Sequence, residues 1–265
     1  RHRILSASWS SAEAQWRVIA ERTDTGERLE FRANFLWMCQ GYYHHGEGYT
    51  PEWEGMGDFE GQIVHPQTWP EDLDYTGKKV AIIGSGATAA TIVPAMAPRA
   101  GQITLIQRSP TYFNPGTNAD DLADQLRALQ IDETWIHAIV RKKLLEEQKG
   151  RITRAAQEPE VVAAEMIAKV GEHLGPGVDL KKHFTPRYRP WQQRVAFIPE
   201  GDFFAPFKEG KARVVTDTIR RFTPRGIEMS SGEEVEADIV VTATGFRLSV
   251  LGGIAFEVDG KPVDF

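Results

Sequence analysis

The sequence predicts an α/β fold built on a parallel sheet, and three observations carry that prediction. Residues 78–107 read as a strand, a glycine-rich turn, a helix and a second strand. A βαβ unit of about 30 residues forces its two strands to run parallel. Helical periodicity takes over at residues 118–174, and short β-type runs flank the whole on both sides. With 265 residues, 41% hydrophobic and 26% charged, the chain has a globular composition.

Residues 15–22 (QWRVIAER) and 28–33 (RLEFRA) alternate apolar and polar side chains around TDTGE, which predicts a hairpin. Residues 34–40 (NFLWMCQ) are nearly all apolar and predict a buried strand. Residues 42–77 are rich in Gly, Pro and aromatics with little periodicity, and Gly46-Glu47-Gly48 within them reads as a loop. Residues 78–83 form the next strand and 86–97 a helix, with Pro94 expected to kink or loosen its last turn. Residues 102–107 (QITLIQ) are a strand. In the helical stretch, Asn118 with Asp121 suggests a cap. Leu122, Leu126 and Leu129 make one apolar face, and Val162, Met166, Val170 and Leu174 another. Gly150 and Pro159 are expected to interrupt it and Gly175-Pro176-Gly177 to end it. Arg141-Lys142-Lys143 reads as a solvated helix face. Short strands return at 213–215, 219–222, 227–229 and 238–244.

Charge and cysteine usage narrow the function. Lys and Arg number 31 against 37 Asp and Glu, a net charge of −6, which supplies no electrostatic footprint for nucleic acid. The single cysteine, Cys39, allows no internal disulfide, C-x-x-C pair or cysteine-based zinc site and fits a cytoplasmic setting. The histidines His44, His45 and His137 suggest no metal site. The uncharged run 80–98 divides into strand, turn and helix, so no transmembrane segment is expected. Starting at Arg1 rather than Met, without a signal peptide, and stopping without an end signal after residues 260–265, the chain reads as a piece of a longer protein.

Gly84-Ser85-Gly86-Ala87-Thr88-Ala89 has the form G-x-G-x-x-A between a strand and a helix, the dinucleotide-binding context of a Rossmann-like domain. Gly84 makes the tight turn, Gly86 admits a pyrophosphate, Ala89 lets helix and strand pack closely, and the helix N-terminus presents N–H groups to the phosphates. At the end of the second strand stand Gln107-Arg108-Ser109, where an NAD site carries an acid. Arg108 there favours the 2′-phosphate, hence NADPH or NADP+ over NAD. No second G-x-G-x-x-G follows a strand in residues 1–77.

Immediately upstream, the run Phe59-Glu60-Gly61-Gln62-Ile63-Val64-His65-Pro66-Gln67-Thr68-Trp69-Pro70 resembles the F-x-G-x-x-x-H-x-x-x-W-P fingerprint of Baeyer–Villiger monooxygenases, members of the class B flavin-containing monooxygenases. The N- and S-oxidising members typically lack the Trp-Pro ending. The resemblance continues through Gln107-Arg108-Ser109-Pro110, Trp191-Gln192-Gln193-Arg194 and Ala243-Thr244-Gly245-Phe246.

It implies that NADPH reduces a bound FAD, and that one atom of O2 is then inserted into a ketone to give an ester or lactone, or onto a sulfur-containing substrate. It also implies that Arg194 is the active-site arginine, a permanently charged group suited to negative charge on oxygen. Phe59, Gly61, His65, Trp69 and Pro70 are the fingerprint, His65 being expected to couple domains by hydrogen bonding rather than to act as acid or base. By the same resemblance, Ala243, Thr244 and Gly245 are expected to form a hinge between the NADP and FAD domains. Many relatives carry Lys where this chain has Gln193, which leaves more of the NADP preference to Arg108.

The family's N-terminal FAD-binding motif has no counterpart here, nor does the active-site acid of that half. The expected organisation is therefore residues 1–77 as the C-terminal portion of an FAD-domain half with the fingerprint loop, 78–216 as a Rossmann-like NADP domain with the helical insert 118–174, and 217–265 as β-rich return to the FAD domain. The fragment alone is expected to bind NADPH, to lose FAD and to be inactive. The alternatives are an N/S-oxygenating flavin monooxygenase and a non-catalytic NADP-binding module.

Overall fold

Alternating side chains put the first strands into an antiparallel meander, β1 (His2–Ser10), β2 (Gln15–Arg22) and β3 (Arg28–Ala33). The expected hairpin is β2–β3, closed where Gly26 adopts φ 73° and Arg22 N–H donates to the Glu27 carbonyl at 2.9 Å. β1 went unforeseen. Residues 34–40 form no strand, contrary to expectation. Phe35 and Trp37 are 77% and 80% exposed, while Leu36 and Met38 pack against the buried Ala7 and Val18. The run is apolar, but among the described residues no strand lies alongside to accept its backbone. Gly46-Glu47-Gly48, expected as a loop, lies in β4 (Tyr43–Gly48).

The computed structural model describes residues 1–264. Residues Thr50–Thr244 form the larger of two compact units. Its sheet has the order β10-β7-β6-β14-β5, with β5 (Gln62–Val64), β6 (Lys79–Ile83), β7 (Gln102–Gln107), β10 (Ala212–Thr216) and β14 (Ile239–Thr242) all parallel. Both faces are covered, so the central strands read as unbroken apolar runs. Val80, Ala81 and Ile82 in β6 are at most 1% exposed, and each buried Val or Ile contributes about 1.5–3 kcal/mol. β8 (Tyr112–Gly116) and β9 (Val195–Pro199) pair in parallel beside this sheet, and β11 (Ile219–Thr223), β12 (Gly226–Met229) and β13 (Glu234–Glu236) form a small antiparallel one.

Helix α1 (Ala87–Met96) crosses from β6 to β7 and continues past Pro94, with the Ala97 N–H bonded to the Val93 carbonyl. The insert contains α2 (Asp121–Ala128), α3 (Glu133–Gln157) and α4 (Pro159–Leu174). The side chain of Asp120, not Asn118, caps α2 by accepting from Leu122 N–H at 3.0 Å. Gly150 does not interrupt α3, because one glycine costs a helix only about 1 kcal/mol against Ala. Pro159 begins α4 at N1, where its missing N–H has no helical partner to lose. Val162, Val170 and Leu174 are buried as the periodicity predicts, but Leu129 is 71% exposed. Lys143 is not merely solvated: it pairs with the capping Asp120 at 2.7 Å. Short helices α5 (Leu180–His183) and α6 (Ala205–Lys208) follow.

The smaller unit comprises Arg1–Tyr49 and the segment from Gly245 onward. There β15 (Phe246–Leu248) pairs with β4, β16 (Ala255–Val258) runs parallel to β1, and β17 (Lys261–Pro262) closes the edge. The sequence-based divisions at 77/78 and 216/217 fall inside the larger unit, since β5 and β14 complete its sheet. Phe265, the end of the expected return segment, lies outside the described residues.

Candidate functional site

In an open parallel sheet, ligands bind beyond the carboxyl ends of the strands where the strand order reverses. Here that point is β6, with β7 on one side and β14 on the other. Its two turn glycines serve different needs. Gly84 adopts φ 123°, donates its N–H to the Ile106 carbonyl at 2.8 Å, and lies so close to β14 that a Cβ would strike the Ala243 carbonyl oxygen. Gly86 has ordinary extended backbone (φ −84°, ψ −172°), and a Cβ there would meet no protein atom within 4 Å. Protein packing therefore demands a glycine at 84 but not at 86. Gly86 and Ala87 instead border a cavity of about 790 Å³. Helix α1 begins there without a side-chain cap or an acid in its first turn, so its leading N–H groups and partial positive charge remain available to an anion. Ala89, 1% exposed, sits against the sheet core, where a larger side chain would push helix and strand apart.

The segment after β7 is tied to this turn. The Ser85 hydroxyl lies 3.2 Å from the Ser109 carbonyl and 3.1 Å from the Thr111 hydroxyl. Thr111 directly precedes β8 and Arg194 directly precedes β9, and the register pairs Tyr112 with Val195. The glycine turn, Thr111 and Arg194 thus meet at one place although they are far apart in sequence. Arg194 is exposed, makes no hydrogen bond or ion pair among the described residues, and lines the same cavity as Gly86. Its approach is shaped by a turn in which Gln192 N–H donates to the Arg189 carbonyl at 3.0 Å and Trp191 takes φ 65°. Arg108 is likewise exposed, and no partner engages it among the described residues.

Beneath Arg108, the buried Gln107 forms a clamp. Its amide Nε2 donates to the His183 carbonyl at 2.7 Å and to the Thr216 hydroxyl at 2.9 Å, and His183 Nδ1 lies 2.7 Å from that hydroxyl. Burial, reinforced by the Lys182 charge, pushes the His183 imidazole below its ordinary value. Gln107 Oε1 is buried without a donor. Nothing in the local sequence pattern announces this clamp, nor the placement of Thr111, Tyr188 and Asp202 on the cavity wall.

The fingerprint residues lie elsewhere in the unit and do not line the cavity. Phe59 is buried with its ring 6.0 Å from Phe222. A Cβ at Gly61 would strike the Asp238 carbonyl oxygen and the Phe59 ring, so glycine permits the approach of β5 to β14. His65 accepts the Gln67 N–H on Nδ1 at 3.1 Å, capping the turn that Pro66 opens. Trp69 packs on the main core, and the Pro70 carbonyl accepts Leu73 N–H at 3.3 Å. Ala243 and Thr244 end the larger unit, and Gly245, at φ 102°, begins the return of the smaller one. His44 and His45 bond locally, to Glu47 N–H and the Gln40 carbonyl. Among the described residues no group of three or more His, Cys, Asp or Glu side chains is placed to hold a metal, and no helix is long and apolar enough to cross a membrane.

Comparison with known proteins adds kinship to this geometry. A family model described as flavin-binding monooxygenase-like matches residues 3–117. The chain is 42% identical over 264 residues to the FAD-containing monooxygenase EthA of Mycolicibacterium smegmatis, covering 99% of this chain and 53% of that protein. It is 43% identical over 264 residues to a probable FAD-binding monooxygenase, AlmA, of an Acinetobacter species, covering 99% and 52%. The fold matches that of oxidized steroid monooxygenase bound to NADP with a TM-score of 0.70 at 22% identity, over 96% of this chain and 54% of the other. The chain spans about half the length of the curated relatives it matches.

Proposed function

Since the chain is a relative of flavin-containing monooxygenases across nearly all its length, we propose that it forms the NADPH-binding part of such an enzyme. One observation carries the reading: the uncapped start of α1, the vacant side of Gly86 and the unpaired Arg194 face a single cavity. The residues fit the dinucleotide. A glycine that packing does not require, beside free helical N–H groups, is what close approach of a pyrophosphate needs. When bound, NADPH supplies a hydride from its nicotinamide ring. The amides after Gly86 donate to the pyrophosphate, and Arg108 donates to the 2′-phosphate. Arg194 holds negative charge on oxygen and orients the nicotinamide. Thr111, bonded to Ser85, keeps Arg194 and the glycine turn in register.

FAD is a different case. Among the described residues no second G-x-G-x-x-G or G-x-G-x-x-A turn stands between a strand and a helix; Gly46-Glu47-Gly48 ends a strand and is followed by coil. The described residues thus present no cradle for the flavin's own pyrophosphate, and the chain alone binds NADPH without retaining FAD or oxygenating substrate. In the complete enzyme the reaction takes a ketone, O2, NADPH and a proton to an ester or lactone, NADP+ and water. Trp69-Pro70 closing the fingerprint favours the ketone over a heteroatom substrate. The test is to supply the complete enzyme with NADPH, FAD and O2, and either a cyclic ketone or a thioether. Lactone formation is the expected result. Sulfoxide alone would replace this reading with S-oxygenation, and no NADPH-dependent product would leave a non-catalytic NADP-binding module.

A further inference from the structure

Between Asp179 and Glu200 the chain carries no acidic residue, yet it carries Lys181, Lys182, Arg187, Arg189 and Arg194. In a protein of net charge −6 this is a local reversal of sign, and the end of that stretch lines the cavity beside Gly86, together with the acid Asp202 that follows it. Such a field draws in a polyanion. Its beginning is anchored, because the Gln107 amide holds the His183 carbonyl and His183 in turn meets Thr216. Helix α5 is thereby seated on the carboxyl ends of β7 and β10, beside the residue that precedes Arg108.

Lys182 is exposed, and its ammonium makes no ion pair or hydrogen bond among the described residues. It adjoins His183, which Gln107 at the end of β7 and Thr216 at the end of β10 hold, and so lies at this rim of the sheet, near Asp217 just beyond β10. Asp217 is itself engaged, accepting the Thr218 and Ser231 N–H groups at 2.7 and 2.9 Å. The residue before Arg194 on the cavity wall is the neutral Gln193, so no second cation stands there.

We propose that Lys182 is a second cation for the 2′-phosphate of NADPH, acting with Arg108, and so sets the preference for NADP over NAD. The inference rests on the NADPH reading above. A phosphate monoester carries close to two negative charges, more than one guanidinium neutralises, and a flexible ammonium suits the remaining charge.

The test titrates the chain with adenosine 2′,5′-bisphosphate and with adenosine 5′-monophosphate by calorimetry. Lys182→Gln should weaken the bisphosphate about tenfold, the value of one charge-assisted contact, and leave the monophosphate unchanged. Lys181→Gln, the same charge change one residue away, should alter neither. An unchanged ratio in Lys182→Gln, an equal loss of both ligands, or an equal effect of Lys181→Gln would overturn the assignment while leaving the NADPH reading intact. A wild-type chain that binds neither nucleotide, or both equally, would overturn that reading and this inference together.

Discussion

Replacing Gly86 with alanine separates what the protein needs from what a ligand needs. The backbone at 86 is one that any L-residue adopts, and the added methyl meets no protein atom within 4 Å. Alanine is a poorer helix N-cap than glycine by roughly 0.5–1 kcal/mol. It also restricts the unfolded chain, which returns about 0.4–1 kcal/mol. The two effects offset, so the melting temperature of Gly86→Ala should stay within about 2 °C of the wild type. Binding should suffer instead, because the methyl occupies the approach to the N–H groups of α1. Losing two charge-assisted hydrogen bonds, each about 1.5–3 kcal/mol, weakens NADPH about 10²- to 10⁴-fold. Gly84→Ala supplies the contrast: φ 123° and the Ala243 carbonyl both oppose a side chain, so that variant should melt well below the wild type. Differential scanning fluorimetry and NADPH fluorescence titration read both quantities. A Gly86→Ala protein that binds NADPH normally, or that melts as low as Gly84→Ala, would refute the reasoning.

Three further outcomes follow from the same structure. Arg194→Ala should leave stability within about 0.5 kcal/mol, since the side chain is exposed and unpaired, yet lower oxygenation by the complete enzyme about 10²- to 10³-fold in steady-state assays. Gly61→Ala should destabilise by about 1–3 kcal/mol in chemical denaturation through overpacking against Asp238 and Phe59, with NADPH affinity retained in the folded fraction. The His183 imidazole is held below its ordinary 6.5 by burial and by Lys182, so the neutral ring favours the folded state. That contribution is complete above pH 6.5 and is lost as pH falls from there through the lower folded value. Between about pH 7 and 5 the wild type should therefore lose more melting temperature than His183→Asn, and parallel curves would contradict it.

The parts of the fold legible in the sequence are those whose signal is local. β6, its glycine turn, α1 and β7 could be read because strands covered on both faces become unbroken apolar runs, and the turn carries its own chemistry. Residues 34–40 show the limit of the same rule: apolar composition asks for cover but does not say whether a neighbouring strand supplies a ladder. β4, rich in His and Gly, has little intrinsic strand preference and owes its pairing to β15, some two hundred residues on. The site divides likewise. Gly84, Gly86, Arg108 and Arg194 could be named from motif and spacing, whereas the meeting of Ser85, Thr111 and Arg194 depends on the parallel β8–β9 pair. The Gln107–His183–Thr216 clamp joins three separate segments through side-chain hydrogen bonds, for which no sequence period exists.

The most direct measurement is a calorimetric titration of this chain with NADPH and, separately, NADH. The account predicts that NADPH binds at least about tenfold more tightly, with Arg108→Ala narrowing the difference about tenfold. Equal affinities would contradict the role of Arg108, and a folded chain that takes up neither nucleotide would contradict the dinucleotide site itself.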